Sequence, residues 1–305
     1  MGAGTGSVPL LKGCYLSSSN RRILLSEMRV ISVKPGGPLT NYVYWLAYYD
    51  GFTAEDLGFQ MMSEGTVDIL IPLEGRTTIS SGVSSNGAVA VAEPVLIGPQ
   101  KSYSMYDTSL CSRALGIVFT PGGAARLLGP RIGEITDSIV PAREVMGETF
   151  RILHDGLLED RDPTRMFSIV QAFLRRRFDG ELRYAEEIDY AISAIRRGKT
   201  ANVSLIDFAE KTIGFSHKHF VELFRRHVGL TPKRYQQIAH FNGMLERCRL
   251  SPAVPWRQLA ETFGYADTSH LFKDFHRLAG MTPGDYLKRV WSHRQVLTAT
   301  ITGQE

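Results

Sequence analysis

GYADTSHLFKDFHRLAGMTPGDY, residues 264–286, reads as a tight turn followed by an amphipathic helix. Gly264 permits a left-handed backbone and Asp267 is a natural N-cap. The helix that follows is expected to run to about Leu278. Leu271 and Phe275, four residues apart, fall on one face, while Thr268, Ser269, Lys273 and Arg277 fall on the other. Upstream, Trp256–Thr262 predicts a shorter helix that turns Leu259 and Ala260 inward. The unit is therefore two short helices joined by a tight turn, with a polar, cationic face directed outward.

The same layout occurs 51 residues earlier. Ala209 matches Ala260, Glu210 matches Glu261, Phe220 matches Leu271, Phe224 matches Phe275, Gly229 matches Gly280, Thr231-Pro232 matches Thr282-Pro283 and Tyr235 matches Tyr286. Two copies are too few for a solenoid, so each is expected to be a compact unit with its own small core. In the first unit Leu205, Phe208 and Ala209 turn inward, Gly214 makes the turn and Ser216 caps a second helix with Phe220 and Phe224 inside. His217, Lys218, Val221, Glu222 and Arg225 lie outside. Gly214 stands two residues before its cap and Gly264 three, so the first turn is expected to differ in shape.

GFSHKHFVELFRRHVGLTPKRY (214–235) and the quoted 264–286 stretch resemble the two helix-turn-helix signatures of the AraC family of bacterial transcription regulators; the resemblance covers about 185–290. It implies two helix-turn-helix subdomains joined by a long helix, here roughly Pro232–Leu250, with recognition helices directed at successive major grooves. It also implies base reading by Lys218, Val221 and Glu222 in the first unit and by Ser269 and Lys273 in the second. Glu222 is an unusual reader, able to accept from cytosine N4 but repelled by phosphate. His240 stands where the family more often has arginine. By residue type and position His217, Arg225, Arg226, Lys233, Arg234, Thr268 and Arg277 are candidates for the DNA backbone, supplying affinity and register without sequence information.

Charge divides along the same line. Residues 1–190 carry 18 Lys and Arg against 22 Asp and Glu, and residues 191–305 carry 17 against 9. A basic half beside a mildly acidic one points to a polyanion partner for the former alone. Seven of the eight histidines also lie beyond residue 191, so the excess is expected to grow as the pH falls.

From Val30 to Thr120 the sequence has short β-rich runs: Val30–Val33, Tyr42–Tyr49, Val67–Leu73, Thr77–Ser80, Val89–Ile97 and Leu115–Phe119. Glu74-Gly75 and Asn86-Gly87 are among the breaks. This spacing predicts a small antiparallel barrel or jelly roll. Helices are expected over Ala124–Leu128, Thr149–Leu158 and Thr164–Phe178, the last closed by Arg175-Arg176-Arg177, cations that suit a helix C-terminus. The stretches Ser63–Leu70 and Phe119–Gly129 resemble one subgroup of the same regulators, implying a cupin-like sensor or dimerisation domain of unknown ligand. Read from the residues alone, Asp68 pairs with a backbone amide and Gly122-Gly123 lets strand turn into helix. Tyr44, Trp45, Tyr103 and Tyr106 read as ordinary core aromatics.

The expected fold is thus α+β: an N-terminal β-rich, cupin-like barrel with helices over 1–180, an all-α domain of two helix-turn-helix subdomains over 184–290, and a tail over 291–305. Its expected partner is double-stranded DNA, with RNA polymerase, an unidentified small-molecule effector and a second copy of the chain as further candidates. No membrane partner is expected, because no apolar run approaches the ~18 residues of a membrane span. MGAGTGSVPL has neither a basic segment nor an apolar one, so no secretory signal is expected and the cytoplasm is the default. No cofactor or metal is predicted: Cys14, Cys111 and Cys248 are scattered, and His154 is the one histidine before residue 191, too few for a metal-binding cupin. Gly2–Gly6 follows no predicted strand, so it is not read as a phosphate loop. An architectural DNA binder without sequence preference, and an enzyme built on the barrel, are the alternatives.

Overall fold

The computed structural model describes residues 14–16, 29–51, 59–82, 87–178, 182–200, 203–251 and 253–291. The Gly2–Gly6 stretch, residues 179–181 near the expected boundary between the two domains, and all but the first residue of the predicted tail lie outside them.

Among the described residues the N-terminal half has nine strands: β1 (Cys14–Leu16), β2 (Arg29–Val33), β3 (Val43–Asp50), β4 (Phe59–Met61), β5 (Asp68–Ser81), β6 (Ala88–Val91), β7 (Val95–Ile97), β8 (Ser104–Phe119) and β9 (Ile139–Pro141). Two long strands carry the design. β5 and β8 pair antiparallel along their length, β8 takes β4 and β3 on its other edge, and β5 takes β7 and β6 on its own. Each long strand therefore serves two short neighbours in succession and must bend between them. Gly75 is where β5 does so: its φ is +86°, the register slips on both sides of Glu74, and an added Cβ would lie 2.0 Å from the Leu110 carbonyl oxygen. The expectation that Glu74-Gly75 ends a strand is corrected here; it is a bulge inside one strand, and a left-handed glycine serves either purpose. The predicted Val89–Ile97 strand is likewise two, β6 and β7. β1, β4, β9 and residues 104–114 of β8 were not expected.

The inner face of the sheet (Leu46, Ile69, Ile71, Leu115, Ile117, Phe119) packs on α3 (Glu148–Glu159) and α4 (Pro163–Arg177) through Phe150, Leu157, Phe167 and Leu174. The short helices α1 (Ala125–Leu128) and α2 (Ala142–Met146) lie between. His154 Nε2 sits 3.2 Å from the Pro72 carbonyl oxygen, a structural contact.

Beyond residue 182 the described chain is helical: α5 (Ala185–Arg196), α6 (Leu205–Asp207) continued by a π-helical turn (Phe208–Ile213), α7 (His217–Val228), α8 (Pro232–Leu250), α9 (Trp256–Thr262) and α10 (Thr268–Ala279). The long helix has the predicted limits. The expectation of two separate small cores is corrected, since one continuous cluster spans both units. The reason is α8, which is apolar on more than one side. Tyr235 meets Phe224 of the first unit in a tilted pair with ring centroids 5.6 Å apart, and Phe241 meets Phe275 of the second edge-on at 5.1 Å.

Candidate nucleic-acid interface

Both candidate recognition helices begin and end alike. Ser216 accepts from the His219 N–H and Asp267 from the His270 N–H, satisfying a free donor at each N-terminus. At the other ends Gly229 and Gly280, one repeat apart, adopt left-handed conformations and close the helices by donating to Arg225 and His276 carbonyls. The turns between the paired helices do differ. In the second unit the Tyr265 N–H closes on the Ala260 carbonyl; in the first, the Phe215 N–H closes on that of the matching Ala209, with one more residue enclosed. The π-helical turn at 208–213 takes up the extra residue. This accounts for the unequal spacing of glycine and cap.

Phe220, Phe224, Leu271 and Phe275 are fully buried, which turns the opposite faces outward. Lys218, Glu222, Ser269 and Lys273 are exposed and Val221 is half-buried. Of the backbone candidates, Arg225, Arg226, Lys233 and Arg277 are exposed, while His217 and Thr268 are partly covered in the first turns of their helices. Arg277 is held by Asp274 at 2.7 Å. Arg234 is turned the other way: its guanidinium donates to the Lys101 carbonyl and, at 3.1 Å, to Gln237, and burial holds its pKa below the usual value. Residue type alone pointed Arg234 at phosphate; its surroundings point it at the N-terminal half.

The outward face of α7 is not open on every side. Lys218, Val221, Glu222, Arg225 and Arg226 form one wall of a groove whose other wall is Pro130, Arg131, Gly133 and Glu134 from the N-terminal half. Arg131 adds a cation there that no pattern in the sequence marks.

Further contacts clamp the two halves together at the ends of the recognition helices. The Tyr103 N–H donates to the Leu278 carbonyl at 3.1 Å, Gln60 Nε2 donates to the Ala279 carbonyl, and the Tyr103 ring lies where a side chain on Gly280 would go. At the matching end of α7, Thr136 Oγ1 donates to the Gly229 carbonyl, and Pro99 occupies the space beside Gly229. Asn242 Nδ2 donates to the Ser63 carbonyl at 2.9 Å, and Tyr235 covers Gly65. Glycine is required at 229 twice over, by a φ of +86° and by Pro99, whose ring would stand 2.7 Å from any Cβ added there. Gly229→Ala is expected to cost about 1–3 kcal/mol, read as a lower urea midpoint of the full chain.

The electrostatics of this half depart from the simple count. Burial, with Arg226 and Arg126 nearby, lowers His227 to about 4, and burial also lowers His240. His227 therefore stays neutral at mildly acid pH and does not join the expected growth of positive charge, and His240 joins it later than a free imidazole would.

A family model described as a helix-turn-helix domain, of the AraC type, matches residues 209–289. The chain carries a helix-turn-helix domain of the AraC type. A domain of this type supports reading the chain as a DNA-binding transcription regulator. A second model, a domain of unknown function (DUF6597), matches residues 31–141. Among solved structures the chain is similar to ToxT from Vibrio cholerae O395, at 9% identity and a TM-score of 0.42 over 87% of this chain and 97% of that one. It is also similar to unsaturated fatty acid bound wild-type ToxT from Vibrio cholerae strain SCE256, at 11% identity and a TM-score of 0.40 over 86% and 94%. The AraC-like transcriptional activator CuxR matches at 10% identity and a TM-score of 0.29 over 68% and 90%. No curated protein matches the chain. No helix among the described residues is long and apolar enough to cross a membrane.

Proposed function

We propose that the chain is a sequence-specific transcription regulator that reads two adjacent major grooves with α7 and α10 and answers to an effector through residues 1–180. The supporting observation is the duplicated, N-capped helix whose buried aromatic face leaves a polar, cationic face outside, in a half with 17 basic and 9 acidic residues. A major groove about 12 Å wide admits one such helix. Lys218 and Lys273 would donate to guanine O6 or N7, Ser269 would donate or accept, Val221 offers an apolar contact and Glu222 accepts from cytosine. His217, Arg225, Arg226, Lys233, Thr268 and Arg277 would serve phosphates; Arg234 would do so only after leaving Lys101. In this reading residues 184–290 form the DNA-binding domain, 291–305 follow as a tail, and the protein works in the cytoplasm.

A footprint covering two major grooves about 34 Å apart on one side of the duplex is expected from a single chain; protection of one groove alone would reject the arrangement. Lys273→Ala is expected to weaken specific binding by about 1–3 kcal/mol and to relax the choice at one base, whereas Arg226→Ala weakens all sequences alike. Gel shifts with operator and scrambled duplexes at one salt concentration check both. Equal losses on the two duplexes for the lysine variant favour the architectural reading instead.

A further inference from the structure

Two segments that clamp the DNA-binding half, 60–66 and 98–104, have a second face. On the side away from the recognition helices they wall a cavity, completed by Trp45 and Tyr49 of β3, Asp68 of β5 and Tyr106 of β8. It encloses about 590 Å³ of empty space, in part open to solvent, and an adjoining hollow of about 510 Å³ shares Tyr49, Asp68 and Tyr106 and continues with apolar residues such as Leu70, Ala114 and Ile117. Both are partly open to solvent, so a ligand here would be held at a mouth and not fully enclosed.

The chemistry of this lining is one-sided. Glu64 and Asp68 are its ionisable carboxylates, and it contains no lysine, arginine or histidine. Asp68 accepts from Thr66 Oγ1 at 3.1 Å, a neutral donor, and not from the backbone amide expected from sequence. Burial pushes its carboxyl up to about 7. The indole Nε1–H of Trp45 is buried without an acceptor. Two carboxylates among aromatic side chains, in a lining without a cation, favour an organic cation over an anion. A divalent metal finds too few ligands, since no group of three His, Cys, Asp or Glu side chains converges among the described residues. The apolar hollow favours a ligand with a hydrocarbon body over a sugar or a polyamine.

We propose that this cavity binds a small lipophilic amine, its ammonium group held by Asp68 among Trp45, Tyr49 and Tyr106 and its apolar body in the adjoining hollow. The walls that touch the ligand are the same segments that reach Gly229, Gly280, Asn242 and Arg234, so occupancy is transmitted to both recognition helices. Binding stands on the cavity alone; its effect on DNA rests on the reading of the chain as an effector-responsive regulator.

The test uses the full chain with hexylamine and 2-phenylethylamine, and with 2-phenylethanol and 3-phenylpropionate as neutral and anionic counterparts, followed by titration calorimetry and tryptophan fluorescence. At least one amine is expected to bind about tenfold or more tightly than the alcohol, and the acid not at all. Asp68→Asn is expected to remove the preference for amine over alcohol while keeping the alcohol's weak affinity, a readout that misfolding would not give. Amine affinity is expected to fall as the pH drops from 8 to 6, because protons compete for Asp68, with Glu64 the neighbouring acid. Failure of both amines to bind, equal binding of amine and alcohol, or an unchanged preference in Asp68→Asn overturns the site. A bound amine that leaves operator affinity unchanged overturns the effector-responsive reading and leaves the site standing.

Discussion

Replacing Gly98 by alanine is expected to unfold one end of the N-terminal sheet. A Cβ at this position would stand 1.7 Å from the Ile135 carbonyl oxygen and 2.6 Å from its carbon, both backbone atoms that no rotamer change can move aside. Gly98 also donates to the Ser138 carbonyl at 2.9 Å, continuing the pairing of β7 with β9 where those strands close. Accommodating one methyl group therefore means separating two main chains and losing that hydrogen bond. The expected cost is about 3–5 kcal/mol, a large share of the ~5–15 kcal/mol that holds most proteins folded. Thermal unfolding of Gly98→Ala should begin roughly 10 °C below that of the parent chain. A variant that melts with the parent would mean that the 98 and 135 backbones are not in contact.

Asp68→Asn is expected to do the opposite, by an amount that grows from about pH 4 and levels off above about pH 7. The folded-state carboxyl titrates at about 7 against 3.8 unperturbed, burial being the main cause. A carboxyl raised by folding favours the native state while both forms are protonated. That advantage is present below pH ~4, declines as the unfolded chain ionises and is gone above pH ~7, where the native state carries a desolvated charge. Asparagine keeps an oxygen for Thr66 and carries no charge. The variant should match the parent near pH 4 and exceed it by about 2–4 kcal/mol at pH 8, measured as the difference in urea unfolding free energy. Other titrating groups, His227 among them, act on both proteins and cancel in that difference. A gap that stays constant from pH 4 to pH 8 would rule out a raised Asp68 pKa. A carboxylate kept at a site where it costs stability is a mark of function more often than of architecture.

How far the sequence alone leads depends on the range of the interactions involved. The helix-turn-helix units are written in local terms: Ser216 and Asp267 cap within three residues, Gly229 and Gly280 end their helices, and Phe220, Phe224, Leu271 and Phe275 recur at helical spacing. Even the odd turn of the first unit is visible as a shifted glycine. The sheet is less legible because its shape depends on pairing between distant segments. Gly75 signals a left-handed residue, but whether it ends a strand or bends one is decided by Leu110 and Cys111, more than thirty positions away. The meeting of the two halves leaves almost no trace in periodicity. Tyr103 reads as one aromatic among several and Gln60 as nothing in particular, yet both hold α10. Arg234 has the chemistry of a phosphate contact and the location of a domain contact. Asp68 sits in a run that resembles a known subgroup, and its importance comes from Trp45, Tyr49 and Tyr106, brought to it from other strands.

The strip from Gly98 to Tyr103 rests on Gly229 through Pro99 and on Gly280 through Tyr103, points that correspond in the duplicated sequence. In the proposed reading it would work as the bar of a caliper whose jaws are α7 and α10. DNA presents its grooves at a fixed pitch of about 34 Å, so a caliper set slightly wide or narrow can seat one jaw but not both. A displacement of this one short strip would then be enough to turn two half-grips into one full grip, or to undo it.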